Sequence, residues 1–350
     1  MSNFYLAAKV LKYLKYNGLS VGMNLDSPPT IKINSIMSSI VKKSRSTSYC
    51  LLRRRRPYYL LLVIAVALLQ APARAQQMSH PEYVEVAKNV RLHVTDVGKG
   101  RPVVLIHGFP LSDEMFEYQY EALAKAGFRA IGITMRGFGH SDKPAEGYNY
   151  DTYADDIKAV LDQLHVDNVV LGGFSMGGAI VIHYMSRHHG AHVGKLALFA
   201  AAAPCWTKQP DFAYSFFTKE DINNLIALNS VNRPALYEAF GQKFTATSTS
   251  VSAGIGAWLG TINLQASGFA VGQMLAVLRD ADERPNLPAI KVSTLILQGR
   301  NDSIVSYQLA EQLQMAIPNS KLVPFEKSGH ALFVEEPDKF NKELIEFAGN

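Results

Sequence analysis

"VDNVVLGGFSMGGAIVIHYMSRH", residues Val166–His188, passes from an apolar strand through a cluster of glycines into a helix, with Ser175 where the hydrophobic period changes. Gly173-Phe174-Ser175-Met176-Gly177 fits G-x-S-x-G, the sharp strand-turn-helix corner that presents a serine hydroxyl. Glycine is needed there because the serine backbone is strained and its neighbours must pack without side chains. The strain lifts the hydroxyl to a helix N-terminus, where a developing negative charge is favoured. Alone, the pattern arises by chance in roughly one chain in eight of this length. Its weight comes from the strand before it and the helix after it.

Outward from this corner, strands and helices alternate. "EYVEVAKNVRLHVTDVGKG" has period two and predicts a β-hairpin, whereas "PVVLIHG" (Pro102–Gly108) is a continuous apolar run, as in a strand buried on both faces. Helix Met115–Ala126, strand "FRAIGI" and helix Thr152–Leu164 follow, then strand Asn168–Gly173 and helix Met176–His188 of the corner itself. Strand "KLALFA", strand Ser293–Gly299, helix Tyr307–Ile317, strand "KLVPF" and a last helix complete the series. This order predicts an α/β fold: a mostly parallel central sheet with helices on both faces. Between about residues 204 and 288 the alternation lapses into an aromatic- and alanine-rich helical stretch, read as a helical cap inserted over one end of the sheet.

A serine hydroxyl is a poor nucleophile until a base takes its proton and an acid orients that base. On this architecture the chain order is serine, acid, histidine, each in a loop after a strand. "LILQGRND" puts Asp302 beyond a buried strand, and "VPFEKSGH" puts His330 after the final one. Ser175, Asp302 and His330 are therefore the candidate catalytic residues. Asp280 and Asp282 are rival acids, but they lie in a charged stretch of the cap and read as solvated. His183, His188 and His189 read as structural, their spacing bringing no nearby acid to suggest a metal site. His107 reads as a support for the loop after its strand, and Cys205 as core filling. The charge of a tetrahedral intermediate needs backbone donors. The amides of Met176, after the serine, and Phe109, in "HGFPLS", are the candidates. Pro110 biases Phe109 toward extended backbone, although a simple turn proline is the plainer reading.

Charge is divided unevenly over the 350 residues. Residues 1–75 hold 12 Lys and Arg against one acid, a net of +11, so the remainder carries −6 of the overall +5. The basic pI thus argues nothing for nucleic-acid binding by the folded part. Arg53–Arg56, the 12-residue apolar run Tyr58–Leu69 and Ala73-Arg74-Ala75 form the three regions of a secretory signal, with cleavage expected after Ala75. The arginines loosely match a twin-arginine signal, and a start at Met37 places the signal nearer the N-terminus. The run is short of the ~20 residues that span a bilayer, so no stable membrane insertion is expected after cleavage. An uncleaved N-terminal anchor is the alternative. An exported, periplasmic or secreted protein of residues 76–350 then keeps one thiol, Cys205, and no internal disulfide.

From about Tyr83 to Asn350 the sequence resembles the α/β-hydrolase superfamily. "HGFPLS", "MRGFGHSDKPAEGYNYDTYADD", "GFSMGG" and "SGHALFVEEP" are similar to its cofactor-free bacterial haloperoxidase, perhydrolase and aryl-esterase branch. The resemblance implies Ser175 as nucleophile, Asp302 as orienting acid, His330 as base, and Phe109 and Met176 as oxyanion donors, with no cofactor and no metal. It implies hydrolysis of small esters and, with hydrogen peroxide, peracid formation. Phe109 and Phe116 stand where the branch commonly has tryptophan, Ser306 where it has proline, and Thr134 where it often has aspartate. The cap is the least similar segment.

The expectation is a serine hydrolase that cleaves small carboxylic esters through an acyl-enzyme. Alternatives are peroxide-dependent halogenation as the main role, a C–C hydrolase or lyase on the same residues, or a hydrolase fold kept as a binding protein. Dehalogenase and epoxide hydrolase chemistry would need an aspartate at position 175. The expected partner is a small-molecule ester, not nucleic acid. The homo-oligomeric state is left open.

Overall fold

The computed structural model describes residues 82–350. The signal segment 53–75 and its cleavage point lie outside the described residues.

Eight strands form one sheet in the order β1-β2-β4-β3-β5-β6-β7-β8. β1 (Tyr83–Ala87) and β2 (Val90–Gly98) make the expected hairpin, and β2 pairs antiparallel with β4 (Arg129–Ile133). From β4 onward all neighbours are parallel, through β3 (Pro102–Ile106), β5 (Val169–Phe174), β6 (Val193–Phe199), β7 (Ser293–Gly299) and β8 (Ser320–Phe325). Parallel strands bring all their C-terminal ends to one edge, where open α/β sheets place their sites.

The sheet is covered on both faces. Along β3, Val103 and Leu105 face one core, shared with Tyr120, Leu123, Phe340 and Leu344. Val104 and Ile106 face the other, shared with Tyr153, Ile157, Ile180 and Leu309. Strand residues alternate in direction, so a run apolar at every position is what two buried faces demand. The first face carries α1 (Glu117–Lys125), preceded by a 3-10 turn at Asp113–Phe116, and α9 (Pro337–Gly349). The second carries α2 (Tyr150–Gln163), α3 (Met176–Arg187) and α7 (Tyr307–Ala316). A one-turn helix, α8 (Leu332–Glu335), precedes α9.

Between β6 and β7 lie α4 (Lys219–Phe244), α5 (Ala253–Leu264) and α6 (Gly268–Asp280). The only bridging pairs in this stretch are two isolated ones, Thr207–Phe217 and Gln209–Phe212. α4 is two helices merged across a kink, with Asn232 non-helical at φ −154° and ψ 75°. Pro234 cannot continue the hydrogen-bond ladder, and the Asn232 side chain restarts it by accepting from the Ala235 amide at 3.2 Å.

Candidate active site

Ser175 leaves β5 with φ 52° and ψ −116°, a backbone that L residues rarely adopt. Such strain costs of order 1–3 kcal/mol and persists only where surrounding structure fixes it. Here the fixing is done by the end of β6, the chain just beyond it and the first turn of α3. The Ser175 amide donates to the Phe199 carbonyl at 2.9 Å, and its carbonyl accepts from the Gly178 and Ala202 amides, both at 2.9 Å. The glycines permit close backbone approach. A Cβ at Gly173 would lie 2.3 Å from the Gly177 carbonyl oxygen, and one at Gly177 would lie 2.4 Å from that of Ile106.

Asp302 and His330 meet from the ends of β7 and β8. His330 Nδ1 donates to Asp302 Oδ2 at 2.8 Å, which leaves Nε2 as the ring nitrogen with a lone pair. Every lone pair of the carboxylate that the fold can reach is used. Oδ1 accepts from the Ile304 and Val305 amides, each at 2.8 Å, and Oδ2 also accepts from Gln298 Nε2 at 2.9 Å. Gln298 in turn donates to the Val305 carbonyl at 3.1 Å. Phe174 and Phe244 pack against the imidazole at ring distances of 4.8 and 5.5 Å. Ser175, Asp302 and His330 are 6, 5 and 2% exposed, so water reaches the group only through a cavity.

That cavity, of about 750 Å³, is lined by Ser175 and His330 together with Phe109, Pro110 and Leu111. α4 and α5 supply the opposite wall through residues such as Phe240, Phe244 and Leu259. "HGFPLS" lies beside the serine, since a Cβ at Gly108 would come within 3.0 Å of Ser175 Cβ. The bonds closing the two loops, Leu111 N to Gly108 O and Gly178 N to Ser175 O, both 2.9 Å, involve neither the Phe109 nor the Met176 amide. The Phe109–Pro110 peptide is cis. Beneath the loop, His107 Nε2 accepts from the Met135 amide at 3.0 Å, so Nδ1 carries the proton and donates to the Gly108 carbonyl at 2.9 Å. Burial pushes the His107 imidazole down to about 4, which keeps that neutral tautomer.

The other candidates fall elsewhere. Asp280 pairs with Arg279 and Lys219, and Asp282 is held down to about 2 by Arg284. Cys205 is buried and its thiol is pushed up to about 12 by burial and by Asp282. The expectation that the α3 histidines have no acid nearby needs correction. His183 lies between Glu283 at 3.2 Å and Asp151 at 2.7 Å, and His188 lies 2.9 Å from Asp155. These acids sit on α2 and beside the 3-10 turn Arg284–Ala289, distant in sequence and adjacent only in the fold. Among the described residues no cluster of three or more His, Cys, Asp or Glu is arranged to hold a metal ion.

Of the departures from the branch pattern, Phe109 lines the cavity, whereas Phe116 is buried against Tyr120 and Phe333. Ser306 caps α7, accepting from the Gln308 amide at 3.2 Å. Thr134 donates to the Asp113 carboxylate, which His93 and Tyr120 also reach at 3.1 Å. Two residues went unread in the sequence. Gln298 had a signal, a polar side chain ending an otherwise apolar strand. Glu335 had none, because its partners are set by tertiary contact.

Comparison with known proteins bears on the fold and family. The chain is 46% identical over 268 residues, 77% of its length, to the AB hydrolase superfamily protein YisY of Bacillus subtilis, covering 99% of that protein. The solved esterase from Exiguobacterium antarcticum is similar with a TM-score of 0.75 and 38% identity, over 77% of this chain and all of that one. The bromoperoxidase from Bacillus anthracis gives 0.74 and 32%, over 77% and 99%. The profile of the alpha/beta hydrolase fold matches residues 101–337. With that match and a mostly parallel sheet covered on both faces, the chain belongs to the α/β-hydrolase family, in the branch of non-haem haloperoxidases and esterases.

Proposed function

We propose that this protein is a carboxylic-ester hydrolase working through an acyl-enzyme on Ser175. The observation that carries the reading is that a strained serine and a carboxylate-anchored histidine open into one cavity. Ser175 Oγ attacks the ester carbonyl carbon while His330 Nε2 takes its proton. Asp302 holds the tautomer and balances the imidazolium. The Phe109 and Met176 amides receive the oxyanion, a type of stabilisation worth several kcal/mol. The C–O bond to the alcohol then breaks, His330 protonates the departing oxygen, and water attacks the acyl group by the reverse proton path to release the acid.

The cavity lining supports an uncharged substrate. No Lys, Arg or Asp lines it, and its one carboxylate, Glu238, is on an exposed residue. A p-nitrophenyl ester should give a burst of one equivalent of nitrophenol per protein. Ser175→Ala should remove the burst and lower kcat by at least about a thousandfold. A loss under tenfold would end the nucleophilic assignment.

Similarity to a bromoperoxidase favours a second use of the same acyl-enzyme. Hydrogen peroxide replacing water as the attacking group would release a peracid, which oxidises halide in solution. Halogenation of a phenolic dye that needs both peroxide and acetate tests this. For the leader, we propose export with cleavage after Ala75. Mass spectrometry of the protein from its native cell should find Gln76 first, and an intact segment 53–75 would favour the anchored form instead.

A further inference from the structure

The histidine loop is tied to the α4 end by a single carboxylate. Glu335 Oε1 accepts from the Ala246 amide, just past α4, at 2.7 Å, and Oε2 accepts from the Gly329 amide, next to His330, at 2.8 Å. A third tie runs from the Ala331 amide to the Phe244 carbonyl at 2.9 Å, so donors on both sides of His330 are held. Gly329 shows how close the two segments come. A Cβ there would lie 2.6 Å from the Ala246 nitrogen and 2.7 Å from the Thr245 carbonyl carbon. Phe244, the last residue of α4, packs edge-on to the imidazole and also lines the cavity.

We propose that Glu335 is a positioning residue that sets the imidazole of His330 by clamping its loop to the end of α4. It hydrogen-bonds neither Ser175 nor Asp302; it accepts from the backbone amides of Ala246 and Gly329, which belong to different parts of the chain, and Ser250 adds a side-chain bond from the segment beyond α4. Asp302 holds Nδ1, and Phe174 and Phe244 pack against the ring. Where the ring sits relative to Ser175 is also set by the loop backbone that carries it, and Gly329, without a side chain, supplies little stiffness of its own. A small misplacement of a base lowers the rate of proton transfer far more than it weakens substrate binding. Burial, with Asp302 nearby, pushes the Glu335 carboxyl above its ordinary range, and the hydrogen bonds from Ala246 and Gly329 pull the other way.

The inference rests on the acyl-enzyme reading above, and its test separates the two. Wild-type protein is first shown to give the nitrophenol burst; absence of the burst overturns the functional reading itself. In burst-competent protein, Glu335→Ala should lower kcat about tenfold with KM changed less than twofold, and thermal midpoint recorded alongside. Glu335→Gln keeps one acceptor oxygen and should fall between. Ala246→Pro removes the donor beyond α4 and puts a ring carbon where the Glu335 carboxylate now lies, so it breaks the clamp from the other side, and Thr245 already has the extended backbone (φ −110°, ψ 157°) that a following proline requires. It should reproduce the loss, and the double variant Glu335→Ala/Ala246→Pro should be no slower than the worse single one. An unchanged kcat in Glu335→Gln and Ala246→Pro overturns the proposal, as does a loss that appears in KM or effects that multiply in the double variant. Should Glu335→Ala not fold, the Gln and Pro variants decide the matter by the same criteria.

Discussion

His107 shows how a single buried side chain serves the site without reaching it. Its neutral ring accepts from Met135 and donates to Gly108, holding the loop that carries Phe109. A protonated ring would have a donor on both nitrogens and lose the Met135 bond. In the unfolded chain the imidazole protonates near its ordinary 6.5, but in the fold only near 4. Its contribution to stability is therefore full above pH 6.5 and is lost as the pH falls toward 4, by roughly 3 kcal/mol at most. His93 and His183, raised by their bonds to Asp113 and Glu283, act in the opposite sense and favour the fold below 6.5. The comparison must therefore be with His107→Gln, whose unfolding free energy should lose less between pH 7 and 4 than the wild type's. Parallel curves for the two proteins would exclude this account.

At the scale of elements, the join between β5 and α3 is tightly constrained. Gly178, on the first turn of α3, has no room for a methyl group, since its Cβ would sit 2.5 Å from Ala201 Cβ and 2.8 Å from Ala201 Cα. Ala201 belongs to the segment whose neighbour Ala202 bonds the Ser175 carbonyl, so α3 cannot shift away without loosening the corner. Gly178→Ala should lower stability by about 1–3 kcal/mol and reduce kcat as well, read by denaturant unfolding and ester turnover on one preparation. Unchanged stability would mean the corner is softer than its geometry. Strand and helix positions here were readable to within two residues, because period and glycine punctuation are local signals. The kink at Asn232 was less so, since Pro234 marks a break without fixing the direction of the helix beyond it.

The substrate cavity belongs to the whole molecule. Its floor is the C-terminal edge of the parallel sheet, and much of its wall comes from α4 and α5, whose lining residues start at Pro234, far along the chain from the serine. Trp206 and Phe240 stack within it, 6.4 Å apart at 21°. Without a lysine or arginine in the lining, a carboxylate on the acyl chain would be desolvated with no cationic partner, at a cost of several kcal/mol. For p-nitrophenyl esters of equal chain length, a terminal carboxylate should therefore lower kcat/KM by at least tenfold. Equal turnover of the charged and uncharged esters would show that the chain does not enter this cavity.

Sequence by itself determined the layers of the fold and the chemical identity of the candidate triad. Apolar runs state which strands are buried on both faces, and a serine among glycines between strand and helix is a local device with a local signature. Asp302 and His330 followed from position after strands. Only tertiary structure decided much of what surrounds them: Phe244 on the base, Glu283 and acids from α2 beside His183, and Glu335 spanning two segments. Those contacts join residues up to about a hundred positions apart, and nothing in the period or composition of either partner encodes the other. Sequence patterns record what each segment buries; what it is buried against is settled by how the segments pack.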